Sequence, residues 1–304
     1  MTTPFLSYEM MVADLNQTAA KHIGVNHFEV KGAKVILQIS DAPDVNARVY
    51  PSASDQYIIR IYRGMLEACL SFVEETVSSY YTTIASQTQL SKGTFLRAVC
   101  SCVTEYIFLH EYCHVIRGHI LYRDHRKPLW SEQPDLELED KRFLEFDADI
   151  YAANFLFART YSVFTDPGVS FRLCDLLQAY VVGIKSMFEV LYKVSGAEDF
   201  IHQESDHPHS QIRAFIAVSM GVSGPVSEKL DENVEECRAI AMRELLRYET
   251  FLTKDRSLDP AFLQSNLERE LETWTNRTQD LSSYYLLEVH KISILTKFRE
   301  WLRR

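Results

Sequence analysis

The pentapeptide His110-Glu111-Tyr112-Cys113-His114 holds the residues of this chain whose types and spacing best suit metal chemistry. On a helix, side chains four positions apart lie on one face, so both histidines can bind one Zn²⁺. Glu111 lies beside the first histidine, where its carboxylate can accept a proton from the water that the metal activates. The spacing predicts a catalytic zinc site, although two histidines on a half-buried helix face produce the same short pattern without a metal.

A third ligand is needed, because catalytic zinc sites usually have three protein ligands. Glu145 is the preferred candidate, since it shares a helix face with Asp149, which is expected to accept the free ring N–H of a zinc histidine. Asp147 points off that face and is the less favoured ligand. His119 follows His110 by nine residues and would lie about 180° away on a continuous helix, so a surface or packing role is expected. An acidic, solvated helix start is the alternative interpretation of the carboxylates.

A third feature is the segment 206–209, which contains His207 and precedes Arg213. An imidazole on a loop near zinc could donate a hydrogen bond to the oxyanion that forms on an attacked carbonyl. Taken without other context, a capped helix start with a proline near its first turn is the favoured interpretation of this segment.

The elements that must position these residues follow from periodicity and from turn residues. The pattern predicts a helix at 7–22 ended by Gly24, a hairpin around Gly32 within 28–39, and strands at 45–50 and 56–62. It then predicts helices at 65–84, 94–121, 141–160 and 169–194, with residues 123–139 as a loop that could cover a cleft. After a boundary at 221–225, three further helices are expected, two of them starting at Asp259 and Asp280. The fold class is therefore α+β, mainly α, with regions 1–222 and 223–304.

The composition of the chain argues against several classes of function. The chain has 304 residues and a formal net charge of −10, which argues against a nucleic-acid-binding surface. No apolar run is long enough for a membrane span, and the first residues do not resemble a secretory signal. The six cysteines form no CxxC pair and are expected to be small buried side chains in a reducing, cytoplasmic compartment.

With these residues considered together, the chain resembles the gluzincin metallopeptidases, specifically the phage-exclusion peptidases of the Lit type and, more distantly, the heat-shock and CAAX-processing endopeptidases. The resemblance spans about residues 45–215 and rests on four blocks in order. These are residues 45–49 with 57–61, residues 110–114 with His119, residues 145–149, and His207-Pro208 with Arg213. The membrane-bound relatives carry hydrophobic spans that this chain lacks, and the stretch 65–95 and the region after Pro225 have no counterpart.

The resemblance implies a zincin-like core in which His110, His114 and Glu145 bind Zn²⁺ and Glu111 is the base. It implies that Asp149 supports a zinc ligand without binding the metal itself, and that His207 and Arg213 lie near the substrate carbonyl. It also implies that the strand around 57–62 forms the rim on which a peptide substrate lies as an added strand.

The function expected from these features is a cytoplasmic zinc endopeptidase that cleaves a specific intracellular protein, with a role in phage exclusion or defence implied by the resemblance. One alternative is a peptidase that inactivates a phage repressor or a toxin-system regulator through the same site. Another is a catalytically silent binding protein that zinc stabilises, although closed structural sites prefer four protein ligands. The sequence determines neither the substrate nor the oligomeric state.

Overall fold

The computed structural model describes residues 6–26, 34–52, 56–195, 210–223, 234–253, 268–269, 272–274, 276–277 and 281. The elements are α1 (Tyr8–Asn26), β1 (Lys34–Ser40), β2 (Ala47–Ser52), β3 (Gln56–Tyr62), α2 (Arg63–Phe72), a π-helical turn (Val73–Val77), α3 (Ser78–Ile84), α4 (Lys92–Ile116), α5 (His119–Trp130), α6 (Pro134–Phe164), α7 (Leu173–Ser195), α8 (Ser210–Ser223) and α9 (Val234–Leu252). The predicted class, mainly helical with a small sheet near the N-terminus, is confirmed.

The three strands form one mixed sheet in the order β1-β3-β2. β1 runs parallel to β3, and β2 runs antiparallel to it. Alternation along β3 buries Tyr57, Ile59 and Ile61 against the helices, as expected for a strand with one face on a core. The first half of the hairpin predicted around Gly32 lies outside the described residues, and the partner of β1 is β3.

The position of β3 corrects one expectation. A central strand has both of its backbone edges paired, so residues 57–62 cannot accept a peptide as an additional strand. β2 is the edge strand of the described sheet on the side of α4, which it contacts. The order of strands depends on long-range pairing, which alternation along one strand does not report.

The helix α4 runs through the core and carries the histidine pair. Ser91 caps its start by accepting a hydrogen bond from the Thr94 backbone N–H at 3.2 Å. α4 packs against α1, α6 and α7. Gly183 allows α7 to approach closely, because a Cβ there would lie 2.6 Å from the Cβ of Cys102. The part of α4 that carries His110 and His114 is thus held by helices on several sides.

Two predictions within residues 94–139 are wrong, namely the end of the helix that carries the histidines and the loop at 123–139. The helix carrying the histidines ends at Ile116, and Gly118 adopts a left-handed conformation with φ 71° before α5 begins at His119. Residues 123–139 are not a loop but the end of α5 and the start of α6. Pro134 occupies the first turn of α6, where its missing N–H costs nothing.

The region after α8 shares the main core. Cys237, Ile240, Leu245 and Tyr248 on α9 are buried in the same apolar cluster as the helices before it. The division near residue 222 stays a prediction, and the helix starts proposed at 259 and 280 lie outside the described residues. Within the described part of the chain, no helix combines the length and apolarity needed to cross a membrane.

Candidate metal centre

His110, His114 and Glu145 come together where α4 packs against α6. The Nε2 atoms of the two histidines lie 3.2 Å apart. Glu145 places Oε2 3.4 Å from Nε2 of His110 and Oε1 3.6 Å from Nε2 of His114. Ligand atoms bound to zinc at about 2.0–2.2 Å in a tetrahedron lie roughly 3.3–3.5 Å apart. The three side chains therefore have the donor types and the spacing that fit one tetrahedral Zn²⁺.

The site sits at the edge of the interior. The side chains of His110, His114 and Glu145 are 12%, 13% and 18% exposed, so they are largely buried without being sealed. Among the described residues, these three form the one group of histidines, cysteines and carboxylates spaced to hold a metal ion. Three protein ligands with residual exposure are typical of a catalytic rather than a structural zinc site.

A buried carboxylate supports His110 from behind. Asp149 on α6 places Oδ1 2.9 Å from Nδ1 of His110. Arg213 of α8 donates to both oxygens of Asp149, at 2.6 and 3.0 Å, and to Glu145 Oε2 at 3.0 Å. The hydroxyl of Tyr106 donates to the same carboxylate at 3.0 Å. With its carboxylate held in this way, Asp149 can fix the ring of His110 so that Nε2 faces His114 and Glu145.

Arg213 lies next to the candidate ligands. Its side chain is buried and pairs with Asp149 and Glu145. Its expected position near the substrate carbonyl stays a prediction. His207 lies outside the described residues, so its expected role near the substrate carbonyl stays a prediction.

His119 is the clearest correction at this site. The turn at Gly118 brings it back to the candidate ligands, and its Nδ1 lies 2.8 Å from Nδ1 of His114. Its Nε2 lies 2.9 Å from Oδ2 of Asp147, which also binds Arg117. Asp147 is outside the group of residues spaced to hold an ion, and it contacts His119, which in turn contacts His114. A glycine two residues after the end of an apolar helical pattern was the signal that could have revealed this turn.

Glu111 is buried beside the three ligands. Its side chain accepts a hydrogen bond from the backbone N–H of Val49 on β2. Burial raises the pKa of Glu111 to about 7, with His110 opposing that rise and Glu145 adding to it. A carboxylate with a pKa near neutrality can both accept and release a proton, which is the property that a general base and acid needs.

The histidines differ in their protonation when no metal is bound. Burial lowers the pKa of His110, but Asp149 and Glu145 outweigh burial and raise it to about 10. Burial lowers the pKa of His114 well below its ordinary value and also lowers that of His119. A cation at the three ligand atoms would replace the proton that His110 holds.

Comparisons with models of protein families, with curated proteins and with solved structures found no match to this chain. The case for a function therefore depends on the geometry of the site.

Proposed function

We propose that this protein is a zinc-dependent endopeptidase of the gluzincin type. The observation that carries the proposal is that the Nε2 atoms of His110 and His114 lie 3.2 Å apart, with a carboxylate oxygen of Glu145 3.4 Å from the first and the other carboxylate oxygen 3.6 Å from the second. The buried carboxylate of Glu111 beside them supports a hydrolytic rather than a structural role. The order of these residues in the chain, together with Asp149, is that of the gluzincins they resemble.

In the proposed mechanism, His110, His114 and Glu145 hold the metal. When bound, Zn²⁺ supplies Lewis-acid activation of water and of the scissile carbonyl. Glu111 accepts a proton from the attacking water on its carboxylate and later delivers it to the leaving amine. The N–H of Val49 fixes the orientation of that carboxylate, and Asp149 and Arg213 keep the ligand set in place for each turnover.

We place the substrate along β2 rather than β3. The Tyr62 N–H donates to the Asn46 carbonyl, so alternate residues of β2 pair with β3 and the backbone of Ala47 and Val49 faces the other way. A peptide added there would run past Glu111, and because the Val49 N–H is donated to Glu111, the peptide would pair with the backbone of Ala47 and the Val49 carbonyl. Pro51 has no N–H to donate, which limits the available edge to the first half of β2.

The substrate class is a peptide bond in a specific intracellular protein, and the resemblance supports phage exclusion as the setting. A regulator-cleaving peptidase would use the same residues and differ only in its target. No observation favours the catalytically silent alternative, because the Glu111 carboxylate is in place beside three rather than four protein ligands.

The decisive experiment replaces Glu111 with Gln, which keeps the size and removes the base. We expect the Glu111→Gln variant to bind one zinc per chain and to fold normally, while cleavage falls by about 10²–10⁴-fold. Zinc content is measured by elemental analysis. Cleavage is measured as new protein N-termini in cells that express the parent or the variant.

A matched control is Glu132→Gln, the same chemical change at an exposed position in the turn between α5 and α6. This variant should retain the parent pattern of new termini. The proposal fails if the parent binds no zinc, or if the Glu111→Gln variant generates the same termini at the parent rate.

A further inference from the structure

A chain of hydrogen bonds leads from His114 into the interior. Its first step is the contact of 2.8 Å between the Nδ1 atoms of His114 and His119, whose rings meet nearly edge to face at 76°. The second step is the contact of 2.9 Å between Nε2 of His119 and Oδ2 of Asp147. His119 and Asp147 are completely buried, so water does not compete for these groups.

The geometry allows one arrangement of protons when Nε2 of His114 binds the metal. Nδ1 of His114 must then carry the hydrogen, so it donates and Nδ1 of His119 accepts. The hydrogen of the neutral His119 must be on Nε2, where Asp147 accepts it. Each step has one donor and one acceptor, and reversing the His119 ring would leave two buried groups without suitable partners.

Asp147, at the far end of this series of hydrogen bonds, accepts from three more N–H groups. Arg117 donates to the two oxygens of Asp147 at 2.8 and 2.9 Å. The indole Nε1–H of Trp274 donates to Oδ1 at 3.1 Å. Arg117 belongs to the turn after α4, whereas Trp274 comes from the chain beyond α9.

Trp274 is placed by packing as well as by this hydrogen bond. Its side chain packs against two apolar clusters, one of which includes Phe143 and Leu144 of α6 and the other Phe146 and Ile150 of α6. It therefore spans the stretch of α6 that carries both Glu145 and Asp147. This contact is a direct route by which the part of the chain after α9 reaches the metal ligands.

We propose that His119 is a positioning residue that, with Asp147, holds His114 in the orientation and tautomer needed to bind metal through Nε2, and that Trp274 anchors this chain of hydrogen bonds from the C-terminal region. The inference rests on the proposed zinc site and deepens it, because it gives the C-terminal region a part in retaining the metal. The corresponding support of His110 needs no such intermediate, since Asp149 contacts that ring directly.

The test measures zinc affinity by competition with a chromogenic chelator, using the full chain. His119→Phe keeps an aromatic ring of similar size and removes the acceptor, so the dissociation constant for zinc should rise by about 10–100-fold. Trp274→Phe removes the indole N–H and some ring volume while keeping an aromatic side chain, and it should raise the dissociation constant by roughly 3–10-fold. The visible spectrum of the Co²⁺-loaded protein should change in both variants, because the orientation of a ligand has changed.

Trp130→Phe is the matched control. The Trp130 indole also donates to a buried aspartate, Asp140, at 2.8 Å, but Asp140 contacts none of the ligands. Its zinc affinity should stay within about twofold of the parent. A general loss of stability from removing a buried indole hydrogen bond would affect both tryptophan variants alike.

The double variant tests whether Trp274 acts through His119. Once His119→Phe has cut the chain of hydrogen bonds, adding Trp274→Phe should change zinc affinity by less than about twofold. If the two effects multiply instead, Trp274 does not act through His119 and the inference is wrong on that point.

Other outcomes separate this inference from the proposed function. If the parent binds no zinc, the proposed function itself fails. If the parent binds zinc and His119→Phe matches its affinity and Co²⁺ spectrum, only the positioning role is overturned. If His119→Phe does not fold, His119→Asn is tested instead. Its amide oxygen can accept a hydrogen bond from His114, but its shorter side chain does not reach Asp147. We expect it to weaken binding by less than tenfold, and a parent affinity would contradict the role of Asp147.

Discussion

Gly118 offers a test in which the direction of the effect distinguishes two folds. Its φ of 71° lies in the left-handed region, where a side chain costs about 1–2 kcal/mol. We therefore expect Gly118→Ala to lower the free energy of unfolding by about that amount. If α4 instead continued unbroken to residue 121, Gly118 would be inside a helix, and alanine would raise the stability by about 1 kcal/mol.

Gly93 supplies the matched control. It lies in the first turn of α4, and a Cβ added there would meet nothing within 4 Å. Gly93→Ala should raise the free energy of unfolding by about 0.5–1 kcal/mol, because it removes freedom from the unfolded chain. The same change at two glycines near the two ends of one helix is thus expected to act in opposite directions.

The assay is urea unfolding followed by far-ultraviolet circular dichroism, with a chelator present so that metal binding does not contribute. The free energies of unfolding are compared only if variant and parent show the same dependence on urea concentration. A Gly118→Ala variant at least as stable as the parent would refute the break between α4 and α5, and with it the approach of His119 to His114.

Three further predictions concern protons and charges at the site. Cleavage should fall as the pH drops through the pKa of Glu111, which is about 7 without metal and lower beside a cation, and kcat/KM that is constant down to pH 5 would contradict Glu111 as the base. Zinc binding at pH 8 should release at least one proton, because His110 has a raised pKa of about 10 in the metal-free protein; calorimetry in buffers of different ionisation enthalpy measures it, and no net release would contradict this assignment. Arg213→Met should lower the free energy of unfolding by about 3–5 kcal/mol, since it leaves Asp149 buried without its cation; urea unfolding checks it, and a loss below 1 kcal/mol would show that the pair is dispensable.

Local sequence patterns were enough to predict several features of the candidate site and of the sheet. The spacing of His110 and His114 on a helix, and of Glu145 and Asp149 on another, follows from the period of the α-helix and needs no knowledge of the fold. Strand β3 was located at residues 56–62 because alternation is visible within seven residues. These features depend on neighbours in sequence, so the sequence was sufficient to predict them.

The errors came from long-range or single-residue effects. The sequence predicts a substrate strand at β3, but the order of strands depends on pairing between distant segments, which alternation does not show. A continuous helix would turn His119 away from the site, but Gly118 alone breaks that helix. Pro128 and Pro134 suggest a loop at 123–139, whereas Pro128 lies inside α5 and Pro134 starts α6.

The sequence alone is enough to identify the side chains suited to hold a cation and the helices that carry them, because donor type and helical period are local properties. The packing of distant segments was needed to show that Glu145 reaches the two imidazoles, that His119 and Asp147 stand behind His114, and that Trp274 joins that series of hydrogen bonds. These contacts join residues up to 127 positions apart in the sequence. They depend on how α4, α6 and the C-terminal region pack, and no local pattern specifies that packing.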